Sequence, residues 1–262
     1  MRFNVLGSGS TGNATLIIDG DTRVLVDCGL SAKELAKRLA DVGETLAQIN
    51  GIVITHEHSD HIRGLTTVAK NLRCPVYISP QAFQTARLNS EHFNLAEQLQ
   101  AGQAFGMGSM KFTPICSPHD SVDPLIFTIE AQGAKMAIVT DLGHIPKSVA
   151  QALEGCDALV LEANHDLDRL KASAYPWTLK QRVLGRLGHL SNDEMARFLR
   201  EDYDGQAQYI VLAHLSRENN HPEIARAAAH DALSARLPLF AFLADQQLSV
   251  ASHNQPLGWI EL

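Results

Sequence analysis

Short apolar runs punctuated by Gly, Pro, Asn and Asp recur along the chain and predict strands at residues 3–6, 14–18, 23–26, 52–54 and 75–78 in its first half. The second half continues the pattern at 110–115, 125–130, 136–139, 159–162, 209–213, 248–250 and 258–261, with 125–130 and 136–139 read as a hairpin. Helical periodicity marks 31–42, 62–72, 192–200 and 222–234, and Pro80 opens a further helix. Two of these helices carry capping boxes, Ser31 with Glu34 and Ser191 with Glu194, which satisfy N–H groups of the first turn. Residues 87–105 are polar, irregular and predict no element. Strands and helices in this mixture are compatible with an α+β chain. Its 262 residues, free of heptads, repeats and low-complexity tracts, are read as one domain, 1–262.

The most informative polar residues stand directly after the apolar runs. Thr55-His-Glu-His-Ser-Asp-His61 follows 52–54 and brings four potential metal ligands, His56, His58, Asp60 and His61, within six residues. Residues i and i+2 of an extended chain project to the same side, so His56 and His58 can present imidazoles to one ion. Asp60 and His61 stand where the helical pattern begins and can reach a second. Imidazole and carboxylate without cysteine suit zinc or manganese, and are also compatible with iron or nickel. Later runs repeat the placement: His119 in Ser117-Pro-His-Asp120, Asp141 in Thr140-Asp-Leu-Gly143, and His214 in His214-Leu-Ser-Arg217. A solvated His-rich loop would have no such partners; His92 and His144 lack this support. Asp27 closes the 23–26 run, where a buried carboxylate needs a partner. It either holds a metal-bound histidine or caps the next helix.

Gly7-Ser-Gly-Ser-Thr-Gly-Asn13 satisfies G-x-G-x-x-G, but a dinucleotide fingerprint must open a helix and 14–18 is β-like, so that reading fails. The loop can instead offer N–H and hydroxyl groups of Ser8, Ser10 and Asn13 to a phosphate, or serve only as a tight turn. Hydrophobic content of 45% and charged content of 19% describe an ordinary globular protein. A net charge of −7 argues against broad coating of nucleic acid and leaves a local basic groove open. One stretch does invert the sign: from His165 to His189 the chain carries Arg169, Lys171, Lys180, Arg182 and Arg186 against Asp166 and Asp168, with Tyr175 and Trp177 between them. It is either a substrate groove, with Lys180, Arg182 and Arg186 on phosphates, or a solvated helix face. His165 divides in the same way between phosphate contact and packing. His189, just before the second capping box, is either a proton donor or a residue bonding a backbone carbonyl. Cys28, Cys74, Cys116 and Cys156 form no C-x-x-C and are expected to be reduced and buried. The first apolar run breaks at Gly7, too early for a signal peptide, and 237–244, interrupted by Pro238, falls far short of the roughly 18 residues of a membrane span. A cytoplasmic location without a membrane partner is the expectation.

With these runs placed, the chain resembles the metallo-β-lactamase superfamily over nearly its whole length. Asp27, His56-x-His58-x-Asp60-His61, His119, Asp141 and His214 match the five ordered motifs of that family. The resemblance implies a four-layer αββα sandwich with a two-metal site at one edge. It also implies that His56, His58 and His119 bind one ion, Asp60, His61 and His214 the other, and that Asp141 bridges them. Within the superfamily, residues 7–13, Glu162-Ala-Asn-His-Asp166, Tyr175-Pro-Trp177, Gly188-His-Leu-Ser-Asn192 and Leu212-Ala-His-Leu-Ser216 look like the YycJ/WalJ group of bacterial nucleases, regarded as DNA exonucleases acting on 5′ ends. Two of these runs also look like tRNase Z, in which a His before the late helix assists the leaving group. The chain lacks the Gly/Pro-rich insertion of the tRNA-clasping arm, and has no room for the extra domain of RNase J-type enzymes. Its H-x-H, in place of H-x-E, favours hydrolysis over the oxygen reduction of the family's di-iron members. The expectation is a phosphodiesterase, in particular a DNA exonuclease, in which a hydroxide bridging two divalent ions attacks phosphorus. Asp60 and Asp141 serve at the ions and His189 protonates the departing oxygen. The alternative is a small-molecule hydrolase cutting a cyclic phosphodiester, thioester or lactam at the same ions. A non-catalytic binding module is disfavoured, because no ligand position is missing.

Overall fold

A computed structural model describes residues 1–96, 99–236 and 245–262, so the 237–244 run lies outside the described residues. The elements run β1 (Arg2–Gly7), β2 (Ala14–Asp19), β3 (Thr22–Val26), α1 (Ala32–Asp41), β4 (Gly51–Val53), α2 (Ser59–Ile62), α3 (Leu65–Leu72), β5 (Pro75–Tyr77), α4 (Pro80–Thr85), β6 (Asn94–Leu95), β7 (Phe105–Met107), β8 (Met110–Cys116) and β9 (Leu125–Ala131). They continue with β10 (Ala134–Val139), α5 (Lys147–Ala152), β11 (Ala158–Glu162), α6 (Leu167–Ala172), α7 (Trp177–Leu184), α8 (Asn192–Glu201), β12 (Tyr209–Ala213), α9 (Pro222–Arg236), β13 (Leu248–Val250) and β14 (Ile260–Glu261). The chain divides into two compact units: Met1–Cys116 with Ser121–Ala134 and Ala251–Leu262, and Ser117–Asp120 with Lys135–Val250.

In the first unit a sheet runs β14-β1-β2-β3-β4-β5-β6, antiparallel from β14 to β3 and parallel from β3 to β6. Leu6, Leu16, Leu25, Ile52 and Val76 of this sheet form one buried cluster with Leu35 and Leu39 of α1 and Leu65 and Val68 of α3. Each fully buried leucine contributes about 1.5–3 kcal/mol relative to leaving it in water. Strands β7, β8 and β9 form an antiparallel meander in the same unit. After β9, Gln132 and Gly133 both take positive φ, 51° and 85°, the signature of a two-residue type I′ turn.

The second unit is built on β10, β11, β12 and β13, parallel throughout. Every residue of β11 is buried, as expected of a parallel strand covered on both faces. Helix α8 buries Met195, Phe198 and Leu199, and Ser191 caps it by accepting from Glu194 N at 3.1 Å.

Four expectations need correction. The helix expected at 62–72 is two helices, because Gly64 N donates to Cys28 O at 2.8 Å and its backbone packs so closely that a Cβ would lie 2.1 Å from Leu30 O. At α1 the hydroxyl half of the capping box forms, with Ser31 accepting from Glu34 N, while the Glu34 carboxylate turns to Arg38 at 2.7 Å. All four cysteines are free, but Cys116, at the end of β8, is exposed and not buried. The stretch 87–105 contributes the short strand β6 and the start of β7. Among the described residues, no helix is long and apolar enough to cross a membrane.

Candidate active site

Parallel pairing of Val26 with Val53 sets the first ligand cluster. Asp27 N donates to Val53 O at 2.8 Å, and the Asp27 carboxylate accepts from Thr55 N at 2.9 Å. Its other oxygen lies 2.7 Å from His61 Nδ1. The Thr55 hydroxyl stands 3.0 Å from His56 Nδ1 and 3.1 Å from His61 Nδ1. Asp27 and Thr55 thus engage the Nδ1 atoms of both rings, which fixes ring orientation and turns Nε2 outward as a ligand atom. His56 Nε2 is 3.0 Å from His58 Nδ1, and His61 Nε2 is 3.6 Å from an Asp60 carboxylate oxygen. Backbone contacts fix Asp60 in turn: its carbonyl accepts from Asn13 N at 2.8 Å, and Asn13 O accepts from Gly29 N at 2.9 Å. A Cβ on Gly29 would lie 1.6 Å from Asp60 O, so only glycine fits.

In the second unit, pairing of Val139 with Leu161 and of Glu162 with Ala213 brings Asp141, Glu162 and His214 to the carboxyl ends of adjacent strands. Glu162 is fully buried. One of its oxygens accepts from His189 Nδ1 at 2.8 Å and His214 Nδ1 at 2.9 Å; the other accepts from Leu142 N at 3.0 Å. Burial pushes the Glu162 carboxyl pKa up, but the charge of His189 and the hydrogen bonds from both histidines hold it down to about 2. Burial likewise lowers the His189 pKa, and the adjacent Glu162 carboxylate outweighs it, so the net shift is upward. The two form one hydrogen-bonded pair. Asp141 Oδ1 is 3.6 Å from His189 Nδ1 and 3.5 Å from His214 Nδ1, and these four residues offer ligand atoms within 4.8 Å of one another. His119 Nδ1 donates to Gly188 O at 3.0 Å, leaving its Nε2 3.9 Å from Asp141 Oδ1.

Backbone strain marks the same positions. Asp27, Asp141 and His214 take φ of 62°, 62° and 55°, a left-handed conformation that costs a non-glycine residue on the order of 1–2 kcal/mol. The donor set fits divalent metal: His56, His61, His119 and His214 each have Nδ1 engaged by oxygen of the chain, so each can offer Nε2 beside carboxylates.

Glu162 joins the candidate site through these hydrogen bonds, and its sequence position alone does not single it out. Its only local signal is a carboxylate closing the fully apolar run Leu159-Val-Leu, where burial demands a partner.

Several substrate expectations change. In the 7–13 loop, the N–H groups of Ser8, Gly9, Gly12 and Asn13 donate to Ser252 O, Asn13 Oδ1, Gly9 O and Asp60 O, so none serves a phosphate. Gly9 and Gly12, at φ of 115° and 149°, make it a closed turn. Ser8 and Asn13 are buried, and the Asn13 amide lies 3.0 Å from His61 Nε2 and 3.3 Å from the Asp60 carboxylate, so it is engaged with two candidate ligands. Ser10 is exposed. His165 is 1% exposed, and burial lowers its pKa to about 4, so it is neutral at pH 7 and cannot pair with phosphate as a cation. Lys180 Nζ donates to Lys171 O and Ser173 O at 2.6 and 2.7 Å, Arg182 pairs with Asp120, and Arg186 stands 3.4 Å from His144 Nε2.

Residues 22–215 match the beta-lactamase superfamily domain. The chain is 30% identical over 238 residues to an exodeoxyribonuclease YycJ of Bacillus anthracis, covering 90% of each protein. It is 33% identical over 229 residues to an exodeoxyribonuclease WalJ of Streptococcus pneumoniae, covering 86% of this chain and 85% of that one. Its fold matches the crystal structure of the metallo-beta-lactamase fold protein YhfI from Bacillus subtilis with a TM-score of 0.73 at 18% identity, over 97% and 98% of the two chains. The architecture is therefore the α+β metallo-β-lactamase sandwich, and the chain belongs to the metallo-β-lactamase superfamily, in the group of the YycJ and WalJ exodeoxyribonucleases.

Proposed function

We propose that this enzyme is a metal-dependent exonuclease that removes nucleotides from the 5′ ends of DNA. The observation that carries the chemistry is His189, whose Nδ1 is fixed by the fully buried Glu162 while the ring keeps 19% of its surface exposed. A partly exposed imidazole with a raised pKa, beside the carboxylate of Asp141 and the ring of His214, is suited to give a proton to a departing oxygen. The names of the YycJ and WalJ relatives support DNA as the substrate.

On the family resemblance, His56, His58 and His119 would hold one divalent ion and Asp60, His61 and His214 the second, with Asp141 among the ligands. Such a pair of ions lowers the pKa of attacking water and neutralises charge that builds on the phosphoryl oxygens. Asp27 and Thr55 keep His56 and His61 in ligand-ready orientation, and Gly188 O does so for His119. Glu162 orients His214 and His189 together, which couples a ligand to the proton donor through one carboxylate.

The test is incubation of single- and double-stranded DNA, RNA and bis-p-nitrophenyl phosphate with the purified chain in manganese and in zinc. Nucleotides should be released from DNA faster than from RNA, and chelation should abolish release. Cleavage of the small diester alone would replace this reading with the small-molecule hydrolase.

A further inference from the structure

Helix α7 buries none of its side chains. All three large hydrophobics that are exposed in the second unit, among its described residues, fall on α7 or just after it: Trp177 at 67%, Leu184 at 41% and Leu187 at 53%. A tryptophan exposed to this degree has no folding benefit to justify it. Between Arg169 and Asn192 the chain has five cations and no Asp or Glu, in a protein of net charge −7. Arg182 is held by Asp120. Among the described residues, Lys180 and Arg186, in contrast, pair with no carboxylate: their hydrogen bonds go to the carbonyls of Lys171 and Ser173 and to the ring of His144. A flat aromatic surface beside such cations complements one kind of partner in both respects: a polyanion that carries flat bases.

The helix is also stitched to the reaction centre of its unit. Val183 O accepts from His189 N at 3.0 Å, and Gly188, whose carbonyl orients His119, packs so tightly that a Cβ would lie 2.2 Å from Val183 O and 2.3 Å from Arg182 O. Gly143, two residues after Asp141, leaves no room for a Cβ against the Arg186 backbone, at 2.4 Å. A strand held on α7 is thereby held by the segment that carries His189.

We propose that α7 is the docking platform for a single-stranded segment of DNA, with Trp177 stacked on an unpaired base and Lys180 and Arg186 on neighbouring phosphates. This rests on the nuclease reading and adds a substrate form to it: a base can stack on Trp177 only where it is unpaired, so the enzyme takes a single strand or a frayed end. An apolar protein partner would leave Lys180 and Arg186 unmatched.

The test compares binding, by fluorescence anisotropy with the metal-loaded protein, of a phosphorothioate thymidine oligomer and of an abasic oligomer of equal length. Trp177→Ala should weaken the thymidine strand by roughly 5- to 150-fold and the abasic strand far less, with Trp177→Phe recovering most of the loss. Lys180→Gln with Arg186→Gln should weaken both strands and flatten the salt dependence. Thermal midpoints equal to that of the parent exclude misfolding of these surface variants. If Trp177→Ala binds the thymidine strand like the parent while the parent still digests DNA, the platform is overturned and the nuclease reading stands. If Trp177→Ala selectively loses the thymidine strand but the parent releases no nucleotide from DNA, docking stands and the nuclease reading falls. A parent that sediments as a dimer, with Trp177→Ala a monomer, makes this face a self-interface and overturns the proposal.

Discussion

On the proposed mechanism much of the chemistry rests on two side chains, His189 and Glu162. A positioned general acid contributes roughly 10²–10⁴-fold. His189→Ala should therefore slow cleavage of ordinary phosphodiesters by about that factor while keeping the metal content of the parent, and the loss should shrink on a p-nitrophenyl diester, whose leaving group needs little protonation. Equal losses on both substrates would make the residue structural. Glu162→Ala leaves His189 and His214 and the N–H of Leu142 without their buried acceptor, and should cost roughly 3–5 kcal/mol in urea unfolding. A change below about 1 kcal/mol would contradict the buried pair. The metal-ligand candidates were legible because each follows an apolar run, where a polar residue has few reasons to stand. Glu162 follows such a run as well, yet its meaning depends on two histidines 27 and 52 positions later, and no local pattern reports that. Residue type alone makes Asn13 and His165 candidates for phosphate, while burial and hydrogen-bond partners decide what each can reach.

At the scale of elements, glycine placement controls the site. Gly29→Ala drives a Cβ into the Asp60 carbonyl, so Asp60 must move. The variant should lose about 1–3 kcal/mol of stability, the usual range for overpacking, and should bind less metal in elemental analysis. Parent-like stability and metal content would show that the Asn13–Gly29–Asp60 arrangement is not needed. Strand positions could be read from short apolar runs, and both serine caps from their spacing. The break between α2 and α3 could not, since it comes from the close approach of Gly64 to Cys28 and Leu30, a contact between segments far apart in sequence. The strands β6 and β7 were hidden because they are short and carry exposed residues, so periodicity had little to register.

For the whole molecule the account requires two ions and a directional exonuclease. Elemental analysis should find two divalent ions per chain, and Asp60→Ala or His61→Ala should mainly empty one site and lower activity with it, because water activation and charge neutralisation both need the pair. Unchanged stoichiometry in both variants would overturn the ligand assignment. The most direct measurement of the central claim is digestion of one DNA strand labelled at its 5′ end and, separately, at its 3′ end, in manganese, with samples taken through the first few per cent of reaction. The account predicts that the 5′ label appears at once in mononucleotides or very short products, while the 3′ label stays on strands that shorten progressively. Early release of the 3′ label, or an intact strand under conditions where a small diester is cleaved, would contradict it.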